Sequence, residues 1–214
     1  MVRIIENKDW VIYTLLAVGF LYVFIFRVLM REITLLKYLA LDLEFVNNRF
    51  QTWLMVSAGF VVVAGLALAP FLPVIPEFYH QYDILGGYQL NKLGCVLVTL
   101  LGLFAFRILF TYFLLANSGE LERWQHFYFV TTKIFLVYTL VLTCLVLIQY
   151  YIPIPKDWMI YTYLISFIIG FIFKNLIYIF KRPSILPEEW YYKILYICTL
   201  QILPFLVVCK LLFF

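Results

Sequence analysis

Long apolar stretches separated by short polar segments set the rhythm of this sequence. A helix rises 1.5 Å per residue, so about 20 apolar residues cross the hydrocarbon core of a bilayer. Six stretches qualify and predict six spans, at residues 10–26, 52–72, 93–115, 127–152, 158–180 and 191–214. Charges and helix breakers mark their ends. Asp9 and Arg27 flank the first span, and Pro70 and Pro73 close the second. Asn117 and Gly119 stop the third, and Pro153 and Pro155 end the fourth. The fifth begins at Trp158 and continues through Lys174 to Phe180, and the last carries Gln201, Pro204 and Lys210.

Two connections have patterns of their own. Between the first two spans, Leu29, Ile33, Leu36, Leu39 or Ala40, and Leu43 recur at helical spacing. Arg31, Glu32, Lys37, Asp42 and Glu44 are interleaved with them, which predicts an amphipathic helix lying at the cytoplasmic interface. The stretch 70–91 holds three prolines, the pair Gly86-Gly87 and the aromatics Phe78, Tyr79, Tyr82 and Tyr88. It predicts an irregular external loop with its rings at headgroup level. No internal repeat appears, so the inverted repeats of many transporters are not expected.

Composition turns the pattern into a class. The chain is 65% hydrophobic and 13% charged, against roughly 45–50% and about 25% in soluble domains. A water-soluble fold of 214 residues has too little charge to cover that much apolar surface. The expected architecture is all-α, a polytopic transmembrane bundle of about six spans plus the interfacial helix, forming one integral membrane domain over 1–214. The head Met1–Asp9 mixes Arg3 and Lys8 with Glu6 and Asp9, and no small-residue cleavage site precedes Arg27, so the first span reads as retained. The net charge of +4 contains no block of five like charges and implies no nucleic-acid partner. Cys95, Cys144, Cys198 and Cys209 lie in apolar runs without metal or redox spacing and read as small hydrophobes.

Basic residues stay cytoplasmic, so counting them orients the bundle. Arg27, Arg31, Lys37, Arg49, Arg123, Lys133, Lys174, Lys181, Arg182 and Lys193 fall on one side, ten in all. Arg3, Lys8, Lys92, Lys156 and Lys210 make five on the other, with Arg107 left out as intramembrane. Both termini are therefore expected outside the cytoplasm.

Ionisable groups within spans are where function is sought in a membrane protein. Arg107 stands out, with about thirteen apolar residues before it and eight after. It must pair, line a wet cavity or reach the cytoplasmic face. Lys174 and Lys210 sit nearer helix ends, where a long side chain extends to the interface. Pro204 removes a backbone hydrogen bond and predicts a kink, and Gln201 is placed to satisfy the freed carbonyl or a neighbouring helix. His80 and His126 fall on opposite faces and lack helical metal-ligand partners, so neither metal nor cofactor is expected.

Lys174 followed by Arg182-Pro183 is similar to the first motif of membrane phosphatidic-acid-type phosphatases, but the gap is seven residues instead of six. The companion histidine motifs are absent, which removes the nucleophile. No G-x-S-x-G, H-E-x-x-H or phosphate-cradling glycine loop appears either, so no catalytic residue is assigned.

The two ends of the chain carry a resemblance. Glu6-Asn7-Lys8-Asp9-Trp10 before the first span, and Tyr192 to Pro204 in the last, resemble an uncharacterised multi-pass inner-membrane family of Bacteroidota, a domain of unknown function numbered 4271. The family's usual Glu stands here as Gln201, which argues against proton carriage by a carboxylate at that position. The resemblance implies an inner membrane and brings no catalytic residues. The expected function is a non-enzymatic accessory or scaffold subunit of a membrane complex, serving envelope biogenesis or protein export, with lipid and protein partners. The alternative is a small transporter or lipid-handling protein with an intramembrane anion site at Arg107.

Overall fold

Apolar segments cannot leave backbone groups unpaired in lipid, and helices satisfy all of theirs internally. The computed structural model describes residues 9–29, 49–72, 91–117, 119, 123–180, 190–203, 206–207 and 210, and among them the regular elements are all helical. The helices are α1 (Asp9–Phe24), α2 (Arg49–Leu68), α3 (Lys92–Asn117), α4 (Arg123–Tyr151), α5 (Lys156–Phe180) and α6 (Trp190–Ile197). A wide π-type turn, Ile25–Leu29, follows α1, and a 3-10 turn, Ala69–Phe71, closes α2.

Among the described residues, five segments are long and apolar enough to cross a membrane: Asp9–Val28, Phe50–Phe71, Lys92–Asn117, Trp124–Tyr151 and Lys156–Phe180. They match the first five expected spans to within a few residues. The start of the last expected span is α6, which runs into a second π-type turn at Cys198–Ile202. There the Leu203 N–H bonds back to the Cys198 carbonyl, directly before Pro204 in the sequence. Pro204, where the sequence predicts a kink, lies outside the described residues. The amphipathic stretch between α1 and α2 and most of the proline-rich stretch 70–91, including His80, lie outside the described residues.

The bundle is built around α2. Its most extensive partner is α4, followed by α3 and α1. The sequence of α2 explains this centrality: Ser57, Gly59, Ala64, Gly65 and Ala67 are small, so neighbouring backbones approach closely. A Cβ on Gly59 would sit 2.8 Å from the Tyr22 hydroxyl of α1, and one on Gly65 would sit 2.7 Å from Leu97 of α3. Val56, Val63 and Leu66 of α2 are buried with Leu136, Leu142 and Val146 of α4.

Local chemistry fixes the ends. Lys92, at the start of α3, donates to the Leu72 carbonyl at 2.9 Å, placing a cation at the negative end of α2. Gly119 holds φ 72°, and its N–H bonds the Ala116 carbonyl at 3.3 Å. This left-handed residue ends α3 where the sequence placed its stop.

Candidate functional site at Arg107

Phe60 of α2 stacks on Phe135 of α4 at 4.8 Å, and Phe104 of α3 lies 5.3 Å from the same Phe135 ring. One helical turn beyond Phe104, the same face of α3 carries Arg107. The guanidinium therefore enters the centre of the bundle beside the aromatic stack. It is only 8% exposed, so it neither reaches headgroups nor opens onto water.

Two tyrosines from distant parts of the chain meet it. Arg107 Nη2 donates to the Tyr178 hydroxyl of α5 at 3.4 Å and to the Tyr196 hydroxyl of α6 at 3.3 Å. Tyr178 also shares a 2.6 Å hydrogen bond with Thr131 of α4. The rings of Phe127 and Phe135 each lie 5.9 Å from Arg107 Cζ. Within α3, the Thr111 hydroxyl donates to the Arg107 carbonyl at 2.7 Å. One cation thus joins α3, α5 and α6, with α4 holding the tyrosine that bridges them.

The energetics are unbalanced. Removing a charge from water costs several kcal/mol even after relaxation. Hydrogen bonds at 3.3–3.4 Å are longer than the usual 2.7–3.2 Å and weaker than the typical contribution of about 1 kcal/mol. A ring face near 6 Å adds about 0.5–2 kcal/mol. Arg107 Nε is buried with no acceptor, and among the described residues no carboxylate meets the guanidinium.

Beside it lies a cavity of about 10 Å³ lined by Trp53, Phe104, Arg107, Ile108, Phe127, Thr131 and Phe135. That volume admits one water-sized particle. Trp53, 5% exposed, packs its ring 4.6 Å from Tyr128. Its indole Nε1, like Arg107 Nε, is buried without a partner.

The other expected positions divide. Lys174 precedes Tyr178 by one helical turn, and its ammonium lies 5.7 Å from the Tyr178 ring, within Coulombic reach of Arg107. The structure therefore draws Lys174 into the cluster around Arg107. Gln201 falls in the π-type turn of the last helix, Lys210 is exposed and helical further along, and Pro204 lies outside the described residues. Among the described residues no group of three metal-ligating side chains occurs. Cys95 is buried, whereas Cys144 and Cys198 are exposed.

Sequence reasoning did not single out Trp53, Thr131, Tyr178 or Tyr196. Two signals bear on Tyr178 and Thr131. Tyr178 follows Lys174 at i+4, and Thr131, Thr132, Thr139 and Thr143 put hydroxyls through an otherwise apolar α4. Thr132, Thr139 and Thr143 bond the carbonyl four residues earlier, whereas Thr131 bonds Tyr178 on another helix.

Comparison with known proteins yields one relationship. No curated protein and no solved structure matches the chain. The sequence pattern described as Domain of unknown function (DUF4271) matches residues 10–212, a range that contains Arg107, both tyrosines, Trp53 and nearly all of every described helix. On that match the chain belongs to the DUF4271 family.

Proposed function

We propose that this chain is a non-enzymatic subunit of an inner-membrane assembly, acting as a helical scaffold for protein partners. The observation that carries the reading is the use made of Arg107. Its charge is committed to Tyr178 and Tyr196, a junction suited to fixing helices relative to one another. A conduit for solutes would instead place such a cation along a water-filled path. The small cavity beside it, at about 10 Å³, has no room for a lipid phosphate or a metabolite.

The outer faces support the same reading. Leu164, Ile165, Ile168, Ile169, Ile172 and Phe173 of α5 are all exposed, giving lipid or a partner helix a continuous apolar surface. In the proposed orientation, the end carrying Arg27 and Arg123 faces the cytoplasm, and both termini face the periplasm.

Mild-detergent purification of the tagged protein from its native membrane tests the proposal. Stoichiometric partners that survive size exclusion are expected, and these should be lost when α5 outer-face residues Ile165 and Ile169 are changed to Ser. Recovery of the monomer alone, from membranes cross-linked before extraction, would refute it.

A further inference from the structure

One row of α5 faces α4. Tyr163 bonds Gln149, a Cβ on Gly170 would lie 2.9 Å from the Tyr138 ring, and Tyr178 bonds Thr131. Lys174 falls between Gly170 and Tyr178 at steps of four residues, so it belongs to this inward row. Yet Lys174 is only half-buried, whereas Tyr178 is 1% exposed. The seam beside α5 is therefore open at Lys174, in keeping with the sparse burial of this helix as a whole.

The charge in the seam is one-sided. The Lys174 ammonium lies 5.7 Å from the Tyr178 ring and within Coulombic reach of Arg107, whose guanidinium donates to the neutral hydroxyls of Tyr178 and Tyr196. Among the described residues neither cation meets a carboxylate, and the three ammonium donors of Lys174 meet no acceptor. The sequence supplies no carboxylate inside a span. Every Asp and Glu falls in the head, in a connection between helices or, as Asp9 and Asp157, in the first turn of a helix. Two like charges at this depth repel each other, and a charge in a span needs a counter-charge or water.

Depth selects the anion. Lys174 precedes the end of α5 at Phe180 by about 9 Å, at 1.5 Å per residue. Arg107 precedes the end of α3 at Asn117 by about 15 Å on the same rise. A lipid phosphate resides in the headgroup layer near the helix ends, whereas a transmembrane helix carries a side-chain carboxylate to any depth. A second copy of this chain has no such carboxylate to offer. We propose that Lys174 is the docking point for an Asp or Glu set within a transmembrane helix of a different protein, with Arg107 adding positive potential behind it. The inference rests on the scaffold reading and names the chemistry of the partner, whose helix enters the seam beside α5 and supplies the missing counter-charge.

The test places the labelled full-length protein in phosphatidylcholine vesicles with a leucine-rich transmembrane peptide that carries one Glu at the depth of Lys174. Energy transfer is followed against the peptide-to-lipid ratio. The Glu peptide should half-saturate at a roughly fivefold lower ratio than the same peptide with Gln, as a charge-assisted hydrogen bond exceeds a neutral one. Lys174→Met keeps the apolar stem and should erase that preference, whereas Lys174→Arg should retain it, each variant first shown to be monodisperse. Equal saturation by the two peptides, or a preference that survives in Lys174→Met, would overturn the docking point. Loss of the preference on adding phosphatidylglycerol would also overturn it, and assign the site to a lipid headgroup. Purification from native membrane separates this failure from failure of the scaffold. Partners recovered equally with wild type and Lys174→Met would refute the docking point alone, whereas a wild-type monomer would refute the scaffold and the docking point with it.

Discussion

Helices α2 and α5 are similar in length and in apolarity, yet they are held by opposite means. Of the most apolar stretch of α2, 61% is buried, against 17% for α5. Small residues let α2 take α1, α3 and α4 against its backbone. Large side chains cover most of α5, and its links to the bundle run largely through polar groups: Tyr163 to Gln149, Ser166 to Tyr138, and Tyr178 to Thr131 and Arg107. In lipid, hydrophobicity does not favour one helix contact over another, because the tails are as apolar as the side chains. Close packing therefore defines the centre of this bundle, and hydroxyl chemistry attaches its periphery.

The sharpest break of that contrast is a large residue at Gly59. Even a Cβ there would lie 2.8 Å from the Tyr22 hydroxyl and 3.0 Å from Cε1 of its ring. Gly59→Leu adds three further carbons and should cost about 3 kcal/mol or more by overpacking, seen as loss of the monodisperse peak in detergent. The same change at Gly102 of α3, where nothing lies within 4 Å of the added Cβ, should leave the peak intact. Equal damage at both glycines would show that backbone freedom, not close approach, is what Gly59 provides.

The second test concerns the attachment of the periphery. Arg107→Met keeps a long apolar stem but removes the donor shared by Tyr178 and Tyr196. A loss of about 2 kcal/mol is expected, since two buried hydroxyls lose their cationic partner. Tyr196→Phe alone should cost about 1 kcal/mol. In the double variant the losses should fall short of additive by about 1 kcal/mol, because both report one contact. Strict additivity in thermal or denaturant unfolding would remove the clamp from the account. Proteolysis at the start of α6 should accelerate in both single variants if the clamp is what docks that helix.

How much of this was legible beforehand depends on the range of the physics involved. Spans are decided by runs of neighbouring residues, so the first five, with their ends to within a few residues, emerged from the hydrophobic pattern. Gly119 was legible as a stop because its left-handed conformation is a local demand. Arg107 was legible as a site because a charge in an apolar run violates a local rule. Its partners were not. Tyr178 and Tyr196 lie 71 and 89 residues away, and in a chain with 17 tyrosines nothing local separates a buried hydroxyl from an interfacial one. Lys174 was read as an interfacial anchor on its position along the helix, whereas its direction around the helix turns it toward the Tyr178 ring. Trp53 was hidden for a related reason, since a tryptophan near a span end ordinarily reads as part of the interfacial belt.

The smallest effect lies at the other end of α5 and separates its two attachments. Tyr163 donates to Gln149 Oε1 at 2.6 Å, while its ring packs against Phe71 at 5.6 Å. Tyr163→Phe removes only the hydroxyl and retains the ring contact. Interhelical hydrogen bonds in membranes contribute about 0.6 kcal/mol on average, and Gln149 is half-buried, so other donors can reach it. A loss near 0.6 kcal/mol in reversible detergent unfolding is therefore expected, well below that of Arg107→Met. A loss as large as at Arg107 would mean that geometry, more than charge, sets the strength of these links. In that case α5 would be held evenly along its length instead of mainly at its Tyr178 end.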